Sequence, residues 1–262
     1  MKARGIRHEL QKYGIDPYMK LYRAKKKALE QIDGNYGDSY SKLPHYAEMV
    51  RRSNHGSIVK LQYNHGENDE EGDLVSSIPI VPSFKRIFVV LEALKKGFLQ
   101  GCSPFMGFDG CHLKGPYGGV LLAAIGLDGN NGLFPLAFAV VKSECKDSWC
   151  FFFQGLDEML GGFDVDRPWT FMSDRQKGLL ECINYMVPYA INRRCAKHLF
   201  ANFKQHFSRM PLKKYFWQAC RSYNEQGFNS AMKKIQEFKP AAAEWVMKID
   251  VSMWARYAFP VD

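Results

Sequence analysis

The chain has 262 residues, with 36 Lys+Arg against 27 Asp+Glu, a formal charge of +9 and a pI near 9.1. Its 46% hydrophobic and 24% charged residues argue against wholesale disorder. No apolar run approaches the roughly 18 residues of a membrane span, and the basic start MKARGIRHELQKYG lacks the apolar stretch of a secretory signal. Residues 14–34 read as a helix, with Asp16 as cap, Pro17 in the first turn and Gly34 as stop. Leu43 to Met49 suggests a second, short helix, and SIVKLQY (57–63) alternates like a strand. The acidic NHGENDEEGD that follows reads as a loop or linker. Pro82 to Leu99 is apolar and ambiguous between helix and strand.

From Pro104 the texture changes. PFMGFDG, GGVLLAAIGLD (118–128) and LFPLAFAVVKS (133–143) read as three strands, the last two joined by the hairpin signal GNNG. DSWCFFFQGLDEML (147–160) has helical spacing, with Asp147 or Ser148 as N-cap and Gly161-Gly162 as stop. RPWTFMSD (167–174) is a strand, QKGLLECINYMV a helix, Tyr189 to Arg193 a short strand, and CAKHLFANFKQHF a helix. This β-β-β-α-β-α-β-α order predicts an α/β mixed sheet with helices on its faces, the order of the ribonuclease H fold. Residues 211–258 read as further helices, ending in SMWARYAF. The expected organisation is an N-terminal helical or linker segment (1–95), an α/β core (96–210) and a helical region (211–262). Seven cysteines, an odd number without a repeated framework, suit a reducing compartment.

The charge is unevenly placed. Residues 1–100 carry a net +5, 101–174 a net −5, and 175–262 a net +9. An acidic centre between basic flanks suits a metal-dependent enzyme acting on nucleic acid: carboxylates hold cations, and Lys/Arg hold phosphates. Asp109 and Asp174 close two predicted strands, the first and the fourth, which are neighbours in a sheet of this order. A lone Asp after an apolar run is ordinarily a turn residue. Two at adjacent strand ends repel unless a cation lies between them, and hard oxygen ligands suit Mg²⁺ or Mn²⁺. A pair of such ions activates water or a 3′-hydroxyl for attack on a phosphodiester.

Cys195-x-x-His198 supplies only two of the four ligands of a structural zinc, so packing is the better reading of that pair. Cys111-His112 lies just past Asp109. Residues 175–214 hold nine Lys/Arg and one acid, Glu181. Of these, Arg175, Lys177, Arg193, Arg194, Lys197, Lys204, Lys213 and Lys214, with Lys114 from the middle third, form the expected phosphate-contacting surface. Phe200, Phe203 and Phe207 have helical spacing, which points to core rather than base stacking.

FDGCHLKGPYGGVLLAAIGLDGNNGLFPLAFAVVKSECKDSWCFFFQGL, SDRQKGLLECINYMVP and RRCAKHLFANFKQHF resemble, in register, the transposase domain of plant Mutator-like elements, over about 95–260. The resemblance implies a ribonuclease H-like core, two Asp and one Glu, Mg²⁺ or Mn²⁺, cleavage and strand transfer at transposon ends, and a nuclear setting. It admits a homo-oligomer. The family's two aspartates fall on Asp109 and Asp174, and its C-x-x-H motif on Cys195 and His198, with His112 as a further motif candidate. The family's Glu stands in an Asn-x-x-Glu-Ser helix after the helical insertion. Glu225, Glu237 and Glu244 lie in no such context. The expectation is therefore an incomplete or degenerate transposase domain, weak or inactive on its own. The competing expectation is a non-catalytic DNA-binding regulator derived from one.

Overall fold

The computed structural model describes residues 36–64, 83–115 and 117–259, with isolated positions ahead of 36. The expected helix over 14–34 and the acidic stretch after Asn64 lie largely outside the described residues.

Helices α1 (Tyr36–Ser41) and α2 (Leu43–Ser53) precede strands β1 (Ile58–Asn64) and β2 (Ser83–Val90) and helix α3 (Glu92–Gly101). Then come β3 (Phe105–His112), β4 (Val120–Leu127), β5 (Leu133–Val141), α4 (Lys146–Leu160), β6 (Thr170–Ser173), α5 (Lys177–Met186) and β7 (Ile191–Arg194). Helices α6 (Ala196–His206), α7 (Met210–Arg221), α8 (Glu225–Phe238) and α9 (Pro240–Met247) follow, and SMWARYAF forms two short 3₁₀ turns rather than a helix.

All seven strands form one mixed sheet in the order β1-β2-β5-β4-β3-β6-β7. The sequence between Pro82 and Leu99 resolves into a strand followed by a helix, so β1 and β2 extend the sheet beyond β5. β4 is antiparallel to both of its neighbours, and β3, β6 and β7 run parallel. The β4–β5 hairpin closes on Asp128, whose Oδ1 accepts from the backbone N–H of Asn130 (2.9 Å) and Gly132 (2.7 Å).

Period-two alternation decides what each sheet face meets. Along β4 every second residue from Val120 is buried, and the residues between are half-buried. The buried set faces α4, where Phe108, Trp149, Phe152, Phe153, Phe163, Trp169 and Phe171 form one aromatic cluster. A second, smaller cluster seats Ala47 of α2 against Val59, Ile87 and Val89 on the other face. The C-terminal helices enclose a third cluster around Leu199, Phe203, Phe216, Phe228, Ile235, Val246 and Trp254. Phe203 is fully buried there, with Phe200 and Phe207 packed against it, so this aromatic row is core.

Helix α4 is held by features the sequence only partly signals. Gly161 ends it in the left-handed region (φ 79°) as expected. Its N-cap is Cys145, while Asp147 is drawn to Arg86: Nη1 of that buried arginine donates to Asp147 Oδ2 at 2.8 Å. Gly155 lets α4 sit directly on β2, because a Cβ there would lie 2.6 Å from the Phe88 ring. Gly155→Ala is therefore expected to cost about 1–3 kcal/mol through overpacking. In a urea titration the midpoint should fall with the slope unchanged.

Candidate active site

β3 and β6 are parallel neighbours with Gly107 opposite Met172. Two residues further along stand Asp109 and Asp174, at the same level of the sheet and about 5 Å apart in strand spacing; Asp174 follows the end of β6, but Asp109 does not close its strand as expected, because β3 continues to His112 in register with β4. Asp109 is exposed and Asp174 half-buried. Asp109 Oδ1 accepts from the Gly110 N–H at 2.9 Å, and Asp174 Oδ1 accepts from the Gln176 N–H at 2.9 Å. Between them in the second turn, Arg175 adopts φ 69°, a left-handed conformation uncommon for a non-glycine residue. The Ser173 hydroxyl secures that turn by accepting from the Arg175 N–H at 3.1 Å.

A third carboxylate joins this edge of the sheet, one that was not singled out from sequence. Glu144 follows β5 and is half-buried. Burial pushes its carboxyl above the usual range, and the charges of Asp174 and Asp109 push it further up. A hydrogen bond from Trp149 and the nearby His112 oppose the rise. Trp149 Nε1 donates to Glu144 Oε1 at 3.2 Å, and Gln176 Nε2 donates to the Glu144 carbonyl at 3.2 Å. Gln176 thus ties the Asp174 turn to the Glu144 loop. The only sequence signal was that Glu144, like Asp109 and Asp174, is an acid at the close of an apolar stretch expected to be a strand.

The basic residues divide. Lys114, Lys177, Lys197, Lys204, Lys213 and Lys214 are exposed, with Lys177 beside Glu181 at 3.9 Å. Arg193 departs from the expected open phosphate contact. It is 6% exposed, donates to the Ser252 carbonyl at 3.2 Å and lies 3.3 Å from the centre of the Phe259 ring, so it anchors the C-terminal turns. Arg175 donates to Met253 Sδ at 2.6 Å. Arg194 is half-buried and its Nε has no protein partner. Burial lowers its pKa and Arg175 lowers it further, while Asp174 opposes both.

Cys195 caps α6, and His198 lies in its first turn with Nδ1 buried and unpartnered. Among the described residues no three His, Cys, Asp or Glu side chains are gathered closely enough to cage a metal as they stand. The donor chemistry at the sheet edge nevertheless fits a hard divalent cation: Asp109, Glu144 and Asp174 all offer carboxylate oxygens. A Cβ at Gly110 would lie 2.8 Å from Glu144 Oε2, so the bare glycine is what admits that carboxylate. No helix among the described residues is long and apolar enough to cross a membrane.

Nothing among curated proteins matches this sequence. One solved structure, described as a cryoEM structure of a simian T-cell lymphotropic virus intasome in complex with PP2A regulatory subunit B56 gamma, overlaps 45% of this chain at 10% identity and a TM-score of 0.25. The overlap spans 48% of that chain, about half its length. The family model described as the MULE transposase domain matches residues 105–202. That span begins with β3, carries Asp109, Glu144 and Asp174, and ends within α6 beyond Cys195 and His198. Residues 105–202 are thus similar to the transposase domain of Mutator-like elements.

Proposed function

We propose that this domain is the catalytic core of a DDE-type transposase with a ribonuclease H-like sheet, in which Asp109 and Asp174 hold divalent cations for DNA cleavage and strand transfer. The observation that carries the reading is the placement of both aspartates at one level of the parallel neighbours β3 and β6, two residues past the pair Gly107–Met172 and inside the matched domain. The strand order supports the fold assignment: β5-β4-β3-β6-β7, with β4 alone running against the others. A divalent cation bound there would polarise the scissile phosphate and lower the pKa of the attacking hydroxyl. The chain's own residues would hold the rest of the substrate. Exposed Lys197 and Lys204, seven apart on α6, share a helix face and would track the DNA backbone. Arg194, close to Asp174, would meet a phosphate near the cleavage point.

The test is Mn²⁺-dependent nicking of supercoiled plasmid together with DNA binding. Nicking abolished by Asp109→Asn and by Asp174→Asn supports the enzyme. DNA binding with neither nicking nor any response to Mn²⁺ overturns it in favour of a non-catalytic DNA-binding regulator. For the DNA surface, replacing Lys197 and Lys204 together by Gln should weaken binding about equally for all sequences. It should also reduce the slope of log affinity against log salt by about 2, close to one unit per lost phosphate contact. An unchanged slope would remove these lysines from the interface.

A further inference from the structure

A recess of about 390 Å³ opens beside the sheet, between α1, the start of β2, the β3–β4 loop and the end of β5. Its size lies in the range of roughly 300–1,000 Å³ found for sites that enclose a small organic group. Three aromatic rings shape it. The Tyr40 ring meets Phe84 edge to face at 5.0 Å between centres, and Tyr117 at 5.4 Å. Tyr40 and Phe84 are half-buried, whereas Tyr117 is 63% exposed and presents a ring that a planar group could cover. A further wall is bare backbone. Gly119 adopts φ 96°, and a Cβ there would lie 2.9 Å from the Val141 carbonyl oxygen, so a glycine is what closes the β3–β4 loop onto β5. Among the described residues that line the recess, exposed Lys142 carries the only charge. Aromatic rings with one cation and no carboxylate among them suit a planar ring attached to an anion.

The recess shares a sheet face with Asp109. Phe108 packs into the α4 cluster, so by alternation Asp109 points to the opposite face. Its cross-strand neighbours there are Ala123 and then Phe138, which is 40% exposed, so this strip of sheet is open. Val140, two residues beyond Phe138, lines the recess and packs with the α2 cluster on that same face. Asp109 and Val140 are two strands and two residues apart, about 12 Å. At ~3.4 Å per nucleotide of a duplex strand, this is a span of about three or four nucleotides.

We propose that the recess takes an unpaired nucleobase of the DNA strand that is cut at the aspartates, stacked on Tyr117, with Lys142 on an adjoining phosphate. The inference rests on the proposed reading of the domain as one that cleaves DNA. A duplex lying along the open strip presents its backbone to the sheet, and only a base turned out of its stack reaches the rings. Such a base loses its stacking neighbours, and an aromatic side chain replaces them whatever the base.

The experiment is fluorescence anisotropy of the full chain with three labelled duplexes of one sequence: fully paired, carrying one unpaired thymine, and carrying an abasic position in its place. Wild type should bind the duplex with the unpaired thymine about fivefold or more tighter than the paired one, the lower end for one base stacked on an aromatic ring. The abasic duplex is locally just as free but has no base to stack, and should gain nothing comparable. Tyr117→Ala should bind the paired and unpaired duplexes alike; the side chain is largely exposed, so its truncation does not endanger the fold. Tyr117→Phe keeps the ring and should keep the preference. Lys142→Gln should weaken binding to both duplexes and lower the slope of log affinity against log salt by about 1; an unchanged slope removes Lys142 from the contact. A preference that survives Tyr117→Ala or is lost in Tyr117→Phe, or an equal gain for the abasic duplex, overturns the proposal. Wild type that binds DNA with no preference also overturns it, and the cleavage reading then stands on its nicking test. If wild type binds none of the duplexes, both fail.

Discussion

Phe108→Ala is expected to destabilise the protein by about 3–5 kcal/mol, the range for emptying a buried aromatic position. Phe108 is 4% exposed and lies where β3, α4 and β6 meet. Its ring centre is 4.9 Å from that of Phe153, 5.3 Å from Phe171, 6.2 Å from Trp149 and 6.4 Å from Phe152. Three of these neighbours belong to one helix and the fourth to β6, the strand that leads into Asp174. A rigid helix and a hydrogen-bonded strand cannot both move into the space, so the cavity term persists on top of the lost transfer energy. Since domains of this kind are stable by only about 5–15 kcal/mol, the loss is a large fraction of the total. Phe138→Ala provides the contrast, because that ring is 40% exposed on the opposite face and leaves no closed cavity. Guanidinium titrations of the two variants should separate them by at least about 2 kcal/mol, given how strongly the cost of truncation depends on burial. A Phe108→Ala cost below that of Phe138→Ala would show that the aromatic cluster is not the support of the site.

The elements that were legible in the sequence share one property: a single buried face. β4 alternates along its whole length, and β3 and β5 keep enough of the pattern to be recognised. The stretch Ile87 to Val90 was ambiguous because it lies inside the sheet between β1 and β5, with α4 on one side and α2 on the other, and all four residues are buried. A strand covered on both faces loses the two-residue period that would distinguish it from a helix. SMWARYAF carries helix-compatible residues, yet Asp250 Oδ1 accepts from both the N–H (2.9 Å) and the hydroxyl (2.8 Å) of Ser252, and buried Trp254 packs into the C-terminal cluster. Local side-chain bonds and tertiary packing override propensity there.

The site was legible to a similar degree. Asp109 and Asp174 could be placed because strand order follows from element order. The basic stretch could be placed because charge is countable, although counting could not distinguish Arg193, which is spent on Ser252 and Phe259, from exposed Lys197. Glu144 was hidden for a different reason. Its neighbours in space are Gly110 and Gln176, both more than thirty residues away, and the space at Gly110 exists only once β3 and the β5–α4 loop are packed together. No period or spacing in the chain encodes that proximity.

On the proposed reading, Asp109→Asn and Asp174→Asn should each remove the stabilisation that Mn²⁺ gives the wild-type chain. At a cation concentration 100 times the dissociation constant, a single site contributes about 2.7 kcal/mol by mass action, and a variant that no longer binds loses all of it. The metal-free proteins should move the other way. Asp109 and Asp174 stand at one level of adjacent parallel strands, and both raise the cost of charging Glu144. Neutralising either one relieves that repulsion, so metal-free stability should hold or rise slightly while the metal response disappears. This opposite movement distinguishes a ligand from a structural carboxylate, whose loss would lower stability with and without the ion. The double variant adds a second criterion. Residues that grip one ion act as a unit and their losses do not sum. Thermal melts with and without Mn²⁺ should therefore show the double variant losing no more of the metal-dependent shift than either single one. Two partial losses that add would place the aspartates in separate sites. A full shift surviving in either single variant would remove that residue from the cation site altogether.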